Sequence, residues 1–181
     1  GARDPVLGRL VERGLDDELR GSAYAVVAGV DGRSHHLRFA DIDMTGDAKP
    51  GAIVELRLWD DAGGRQRRAL ATRSDLPLEA QVDAVGATWL DRQALARHPL
   101  QTGGGFGAEV REALERRVDH LVDQRLARRG AGGIVFEPDL LGALRRRDLA
   151  AAAAKLSQAT GLIHRPAVAN DHVAGVYRRR L

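Results

Sequence analysis

Cysteine is absent from this chain of 181 residues. That excludes a disulfide framework and thiolate metal sites, and it fits a reducing compartment such as the bacterial cytoplasm. Aromatic residues are scarce, at 4% of the chain, so a core has to be built mostly from Ala, Leu and Val. No apolar run reaches the roughly 18 residues that a transmembrane helix needs, and no secretory signal is recognisable. Lysine is nearly missing: Lys49 and Lys155 are the only two, leaving 26 Arg among the 28 basic residues.

What is present is enough for one full domain or two small ones. Hydrophobic residues make up 44% of the chain, which argues against general disorder. The chain starts at Gly1 without Met and stops in Arg178-Arg179-Arg180-Leu181, and both ends read as cuts in a longer protein. Net charge is +3 and the sequence pI is near 9.9. Arg favours bidentate phosphate contacts, although the abundance of Ala and Gly beside it points to a GC-rich genome as the main cause. The charge is uneven. Residues 1–76 carry 12 basic and 13 acidic groups, whereas residues 77–181 carry 16 and 12. A nucleic-acid surface would therefore sit in the second region.

Residues 1–76 read as a small antiparallel β-barrel of the OB or SH3-like kind. Strands are expected at Val6 to Arg13, Ala23 to Val30, Ser34 to Phe39, Ile53 to Trp59 and Gln66 to Thr72. Asp31-Gly32 makes a two-residue hairpin turn, and Met44 to Gly51 is expected as a loop. Residues 77–165 read as a winged-helix-like helical domain. Leu78 to Val85 predicts a short helix, and Thr88 caps a second from Trp89 to Ala96. Gln101 to Gly105 is a glycine loop. A long amphipathic helix follows from Phe106, with Val110, Leu114, Val118, Leu121, Val122 and Leu126 on one apolar face. Leu126 to Arg129, a turn through Gly130-Ala131-Gly132-Gly133, and Ile134 to Phe136 then form a strand hairpin. A helix followed by such a hairpin is how a winged helix ends, which makes nucleic acid the first partner to test. Pro138 opens a further helix that stops at Gly161 and tolerates Gly142 at a cost of about 1 kcal/mol. Residues 166–181 form a tail strand, from His172 to Leu181. It is either the start of a truncated β region or a partner for the first barrel. The overall class is α+β.

Few constellations carry chemistry. His35-His36 is the only His pair, and strand neighbours point to opposite faces, so a shared metal is disfavoured. His120 with Asp119 and Asp123 reads as a solvated helix face. Gln101 to Gly107 lacks the Gly-Lys-Ser/Thr ending of a phosphate loop, although its amides sit at a helix N-terminus. The long helix carries Glu109, Glu112, Glu115, Asp119 and Asp123 against Arg111, Arg116, Arg117 and Arg125, which counts against base reading in a groove. Basic groups gather instead at Arg125, Arg128 and Arg129, and at Arg145-Arg146-Arg147. These six are the candidate nucleic-acid contacts, through the DNA backbone. Trp89 reads as core, and Trp59 is the other large aromatic. No nucleophile, base and metal set can be assembled, and neither cofactor nor metal is expected.

Four words occur in order: Gly21-Ser22-Ala23-Tyr24-Ala25, Met44 to Gly51 as MTGDAKPG, Gly86 to Gln93 as GATWLDRQ, and Phe106 to Arg111 as FGAEVR. Together they resemble the region of unknown function that follows the nuclease domain in bacterial conjugative relaxase and mobilisation proteins, over essentially the whole chain. The resemblance implies a parent that nicks plasmid or integrative-element DNA at a transfer origin and is exported with it by a type IV secretion system. It transfers no catalysis, because the family's His cluster and tyrosine nucleophile lie upstream and have no match here. Two readings follow: a non-catalytic accessory domain on transfer-origin DNA, or a protein-interaction module recognised by the secretion coupling protein.

Overall fold

The structure is a computed structural model and describes residues 5–168. It is α+β. Five strands form one antiparallel sheet: β1 (Leu7–Asp17), β2 (Ser22–Gly29), β3 (Ser34–Phe39), β4 (Ile53–Asp60) and β5 (Gln66–Ser74). Their order is β3-β2-β1-β4-β5. β1 pairs with β2 from Gly8 to Asp17, with register shifts between Leu10 and Glu12 and between Leu15 and Asp17. It pairs with β4 only through Leu7, Gly8 and Arg9. Gly8 is required where β1 and β2 press together, since a Cβ there would lie 2.0 Å from the Ala28 carbonyl oxygen.

The closed barrel expected for residues 1–76 is not what the pairing shows. Among the described strands β3 and β5 are the two edges of the sheet. The segment between β3 and β4, expected as a plain loop, contains a 3-10 helix, Ile42–Thr45, that packs against β2 and β5. It brings Ile42 and Met44 to a core of Leu10, Ala23, Ala25, Val27, Leu37, Phe39, Ala48, Ala52, Val54 and Leu70. Arg13 fixes it in place, donating from Nε to the Ala48 carbonyl at 2.9 Å and from a terminal nitrogen to Thr45 Oγ1 at 3.0 Å. The edges approach through side chains instead of backbone: the Arg68 guanidinium lies 5.6 Å from the centroid of the Phe39 ring.

The sheet has a second apolar face. Leu7, Val30 and Ile53 join Leu78, Val82, Trp89, Leu90, Phe106, Val110 and Ala113 in another cluster. Ile53 and Val54 are neighbours on β4 and enter different clusters, as strand alternation requires. Each fully buried Leu or Ile contributes roughly 1.5–3 kcal/mol, so the shared core joins the sheet firmly to the segment after it. The chain accordingly does not divide at residue 76. Its two compact units are Gly1–Ala84 with Thr88–Pro138, and Val85–Ala87 with Asp139–Leu181.

The helices of the first unit are α1 (Leu78–Gln81), α2 (Trp89–Leu95) and α3 (Phe106–Asp123), followed by β6 (Ala127–Gly130) and β7 (Gly133–Phe136) as a two-stranded hairpin. α1 is a single turn and stops short of Val85, and beyond it the Val82 and Ala84 carbonyls accept from Arg117. α2 starts with a capping box in which the Thr88 hydroxyl accepts from the Asp91 N–H and the Asp91 carboxylate accepts from the Thr88 N–H. The face that α3 buries is Phe106, Gly107, Val110, Ala113, Arg117 and Leu121. It is rotated from the expected stripe, and Leu114, Val118 and Val122 are only partly covered.

The second unit contains α4 (Leu140–Val168). It begins two residues after Pro138 and runs through Gly161 instead of stopping there, so residues 166–168 are helical. Leu140 and Leu144 are buried, whereas Leu149 and Leu156 are strongly exposed. The strand expected from His172 to Leu181 lies outside the described residues.

Candidate nucleic-acid interface

The polar side chains that the fold organises most tightly lie inside it. Arg117 and Asp91 are both fully buried. Arg117 donates from Nε to Asp91 Oδ1 and from a terminal nitrogen to Oδ2, each at 2.9 Å. Its other terminal nitrogen reaches the Ala84 carbonyl at 2.6 Å and the Val82 carbonyl at 3.3 Å. Asp91 Oδ2 also accepts from the Thr88 N–H and hydroxyl, at 2.8 and 2.9 Å. Beside them Gln81 accepts from the Leu90 N–H and donates to the Leu76 carbonyl. Every charge is matched by a partner of fixed geometry, so this network ties α1, α2 and α3 together and leaves nothing aimed at a ligand. The Thr88-x-x-Asp91 spacing was a readable signal for half of it. Arg117 had none, because a charged residue at a core position of a helix looks like a surface charge in sequence.

The glycine loop is explained the same way. Gly103 donates its N–H to the Val30 carbonyl at 2.8 Å. A Cβ on Gly103 would meet the Asp31 carbonyl oxygen at 2.4 Å, and one on Gly107 would meet that of Val30 at 2.1 Å. Arg111 clasps the loop through Thr102 Oγ1 and the Gly103 carbonyl. These glycines allow a backbone to lie against the β2–β3 turn, where the Gly103 amide is taken up.

The six candidate arginines are all exposed. Arg125, Arg128 and Arg129 belong to the first unit, and Arg145, Arg146 and Arg147 to the second. Arg125 ends α3 in a left-handed conformation, with φ of 62°. It lines a hollow of about 610 Å³ with Arg128, Val122, Leu126, Val135 and Phe136. Arg129 is next to Arg128 on β6 and faces the other way. It pairs with Asp119 of α3 and lines a groove of about 560 Å³ whose floor is Leu114, Val118 and Ile134 and whose rim holds Arg111, Glu115 and Asp119. The hairpin thus brings Arg125 and Arg128 together and turns Arg129 from them. On α4 three successive residues step around the helix by about 100° each, so Arg145, Arg146 and Arg147 do not share one direction. Arg146 pairs with Asp139 at 3.3 Å. Among the described residues the side chains of Arg125, Arg128 and Arg145 make no hydrogen bond or ion pair.

The two histidines of the His pair separate as strand geometry demands. His35 Nε2 lies 3.1 and 3.0 Å from the two carboxylate oxygens of Asp31, and His36 is exposed. Partial burial works against ionisation of Asp31. The Arg33 N–H, the His35 ring and the nearby positive charge outweigh it and hold the carboxyl below its ordinary range. Among the described residues no group of three or more His, Cys, Asp or Glu is placed to hold a metal ion. No described helix is long and apolar enough to cross a membrane.

Trp89 is buried in the core, as its helical position suggested. Trp59 is not: it is 39% exposed, with the Arg57 guanidinium 5.9 Å from its ring centroid and Arg67 directly opposite on β5.

One family model matches residues 1–68 and 57–181, which together span the chain, and its description is Protein of unknown function (DUF3363). The chain belongs to this family. No curated protein and no solved structure matches it.

Proposed function

We propose that this chain is a non-catalytic accessory domain of a conjugative relaxase that contacts transfer-origin DNA through the phosphate backbone. The observation that carries the reading is the set of exposed arginines around the α3–hairpin junction and on α4, of which the Arg125, Arg128 and Arg145 side chains are not engaged among the described residues. Guanidinium groups held on ordered elements and left without a carboxylate are suited to phosphate oxygens. In this reading α3 with β6 and β7 acts as a winged-helix-like scaffold whose hairpin, not its acidic helix, meets the nucleic acid. The five-stranded sheet with its open seam serves as a partly open OB-type unit. The family resemblance supports the relaxase parent, with its action at a transfer origin in a bacterial cytoplasm and export beside the DNA.

The test is binding of the 181-residue chain to duplex and single-stranded DNA across a salt series. Phosphate contacts make log K fall linearly with log salt, and each lost contact reduces the slope by about one unit. Changing Arg125, Arg128 and Arg145 to Ala should flatten the slope more than changing the paired Arg129 and Arg146. Absence of binding at low salt would overturn the reading.

A protein-interaction role is the second reading, and the groove beside α3 favours it. Its floor is apolar and its rim carries Arg111 and Arg129 against Glu115 and Asp119, a pattern suited to a peptide or helix of mixed charge. The coupling protein of the secretion system is the partner the resemblance implies. Transfer of a reporter fused to this chain, lost on Leu114→Asp and Val118→Asp, would support it.

A further inference from the structure

The outer face of the β4–β5 hairpin is chemically distinct from the six arginines. Strand alternation puts Glu55, Arg57 and Trp59 on one face of β4, with Ala71, Ala69 and Arg67 opposite them on β5. Trp59 belongs to neither apolar cluster. Arg57 lies beside its ring and Arg67 across from it, while Ala69 and Ala71 keep the adjoining surface low. The carboxylates nearby are accounted for. Glu55 is paired with Arg73 at 3.0 Å. Asp61 turns its carboxylate into its own loop, accepting from the Gly63 and Arg65 N–H groups at 2.9 Å. Asp60 falls on the opposite face of the strand by alternation. What remains is an exposed indole with the Arg57 guanidinium against its ring and Arg67 opposite on β5, in a chain that has only two Trp.

We infer that this face is a docking surface for single-stranded DNA, with Trp59 stacking an unpaired base and Arg57 and Arg67 meeting the flanking phosphates. An aromatic ring accepts the π-face of any base, and neighbouring cations track the backbone. Charge complementarity selects the occupant, because Arg57 and Arg67 are both positive and the neighbouring carboxylates are paired or turned away. Duplex DNA hides its base faces, so the surface discriminates in favour of unpaired strand. The inference rests on the DNA-contact reading above and adds to it a strand preference and a second contact surface.

The experiment is titration of the whole chain with an oligothymidylate of about 16 nucleotides at low salt, followed by Trp fluorescence and by anisotropy of a labelled strand. Trp89 is buried, so quenching on binding reports Trp59. Trp59→Ala should weaken binding at least about fivefold and abolish most of the quenching, while Trp59→Phe retains most of the affinity. Arg67→Glu should weaken it comparably, and a matched duplex should bind without quenching. If Trp59→Ala shifts the melting curve, Trp59→Phe and Arg67→Glu carry the test, and wild-type affinity and wild-type quenching by single strands in Arg67→Glu would overturn the inference. Binding that leaves Trp fluorescence unmoved and is lost when the six exposed arginines become Ala would overturn the inference and leave the DNA-contact reading standing. No binding of any DNA at low salt would remove both.

Discussion

α3 takes part in two Arg–Asp pairs of the same chemistry and opposite surroundings. Toward the interior, Arg117 meets Asp91 with neither side chain exposed. Toward solvent, Asp119 meets Arg129 with side chains 62% and 59% exposed. In water the attraction between such charges is weak and readily screened, and an exposed pair contributes about 0–1 kcal/mol. Inside, removal from water costs several kcal/mol per ion, and only complete hydrogen bonding offsets it. The two regions therefore use arginine differently. The buried one specifies how three helices meet, and the exposed ones remain available to a partner.

The largest expected effect follows from the buried pair. Arg117→Ala leaves Asp91 charged and without its main partner, which should lower stability by about 3–5 kcal/mol, measured by urea denaturation. The double variant Arg117→Met, Asp91→Leu should recover much of that, because neither charge is then stranded, leaving chiefly the unpaired Thr88 N–H and the Val82 and Ala84 carbonyls. Arg129→Ala should change stability by less than about 1 kcal/mol. Equal losses for Arg117→Ala and Arg129→Ala would break the comparison.

Gly107→Ala comes next. The added methyl would collide with the Val30 carbonyl oxygen, a backbone atom that cannot swing aside. Overpacking of this kind costs about 1–3 kcal/mol, and this position should lie at the upper end. Gly132→Ala, which meets nothing nearby, is the control, and equal denaturation midpoints for the two would show that the glycine loop does not press on the sheet. Thr88→Ala removes the cap of α2 and should cost about 1 kcal/mol, checked the same way. A cost near zero would mean that Arg117 alone holds Asp91.

These positions also show what the sequence made legible. The five strands, the Thr88 cap, the α3 start at Phe106 and the hairpin after it follow from alternation, caps and turn residues, which act over a few neighbours. The open sheet edge did not, since it depends on Ile42 and Met44 finding a core assembled from distant strands. The division at residue 138 instead of 76 depends on Leu7, Val30 and Ile53 facing the helices, a choice invisible when both strand faces are apolar. The rotated face of α3 was misread because Arg117 occupies a core position, and a polarity pattern assigns that residue to the surface. Of the candidate contacts, exposure of all six arginines was legible. The opposite facing of Arg128 and Arg129 was implicit in their adjacency on a strand. Trp59 was recognised as a large aromatic, but its separation from both cores emerged only with the packing.

The smallest effect belongs to another surface pair and tests the same contrast by pH. Asp31 has its carboxyl lowered from the ordinary 3.8 by the Arg33 N–H and the His35 ring, against the opposing effect of burial. A carboxyl lowered on folding stabilises the folded state above its unfolded pKa, and that contribution disappears as pH falls through the folded value. Asp31→Asn should therefore be slightly less stable than the parent chain at neutral pH and no less stable well below pH 3.8. The difference has to be small, since the Asp31 side chain is 41% exposed and solvent screens it. Thermal melts of both chains from neutral pH down to strong acid would show their midpoints converging on the acid side. Melting midpoints that stay parallel through that range would mean that the Asp31–His35 contact contributes nothing, and exposed ion pairs here would then differ from the buried one in kind and not only in size.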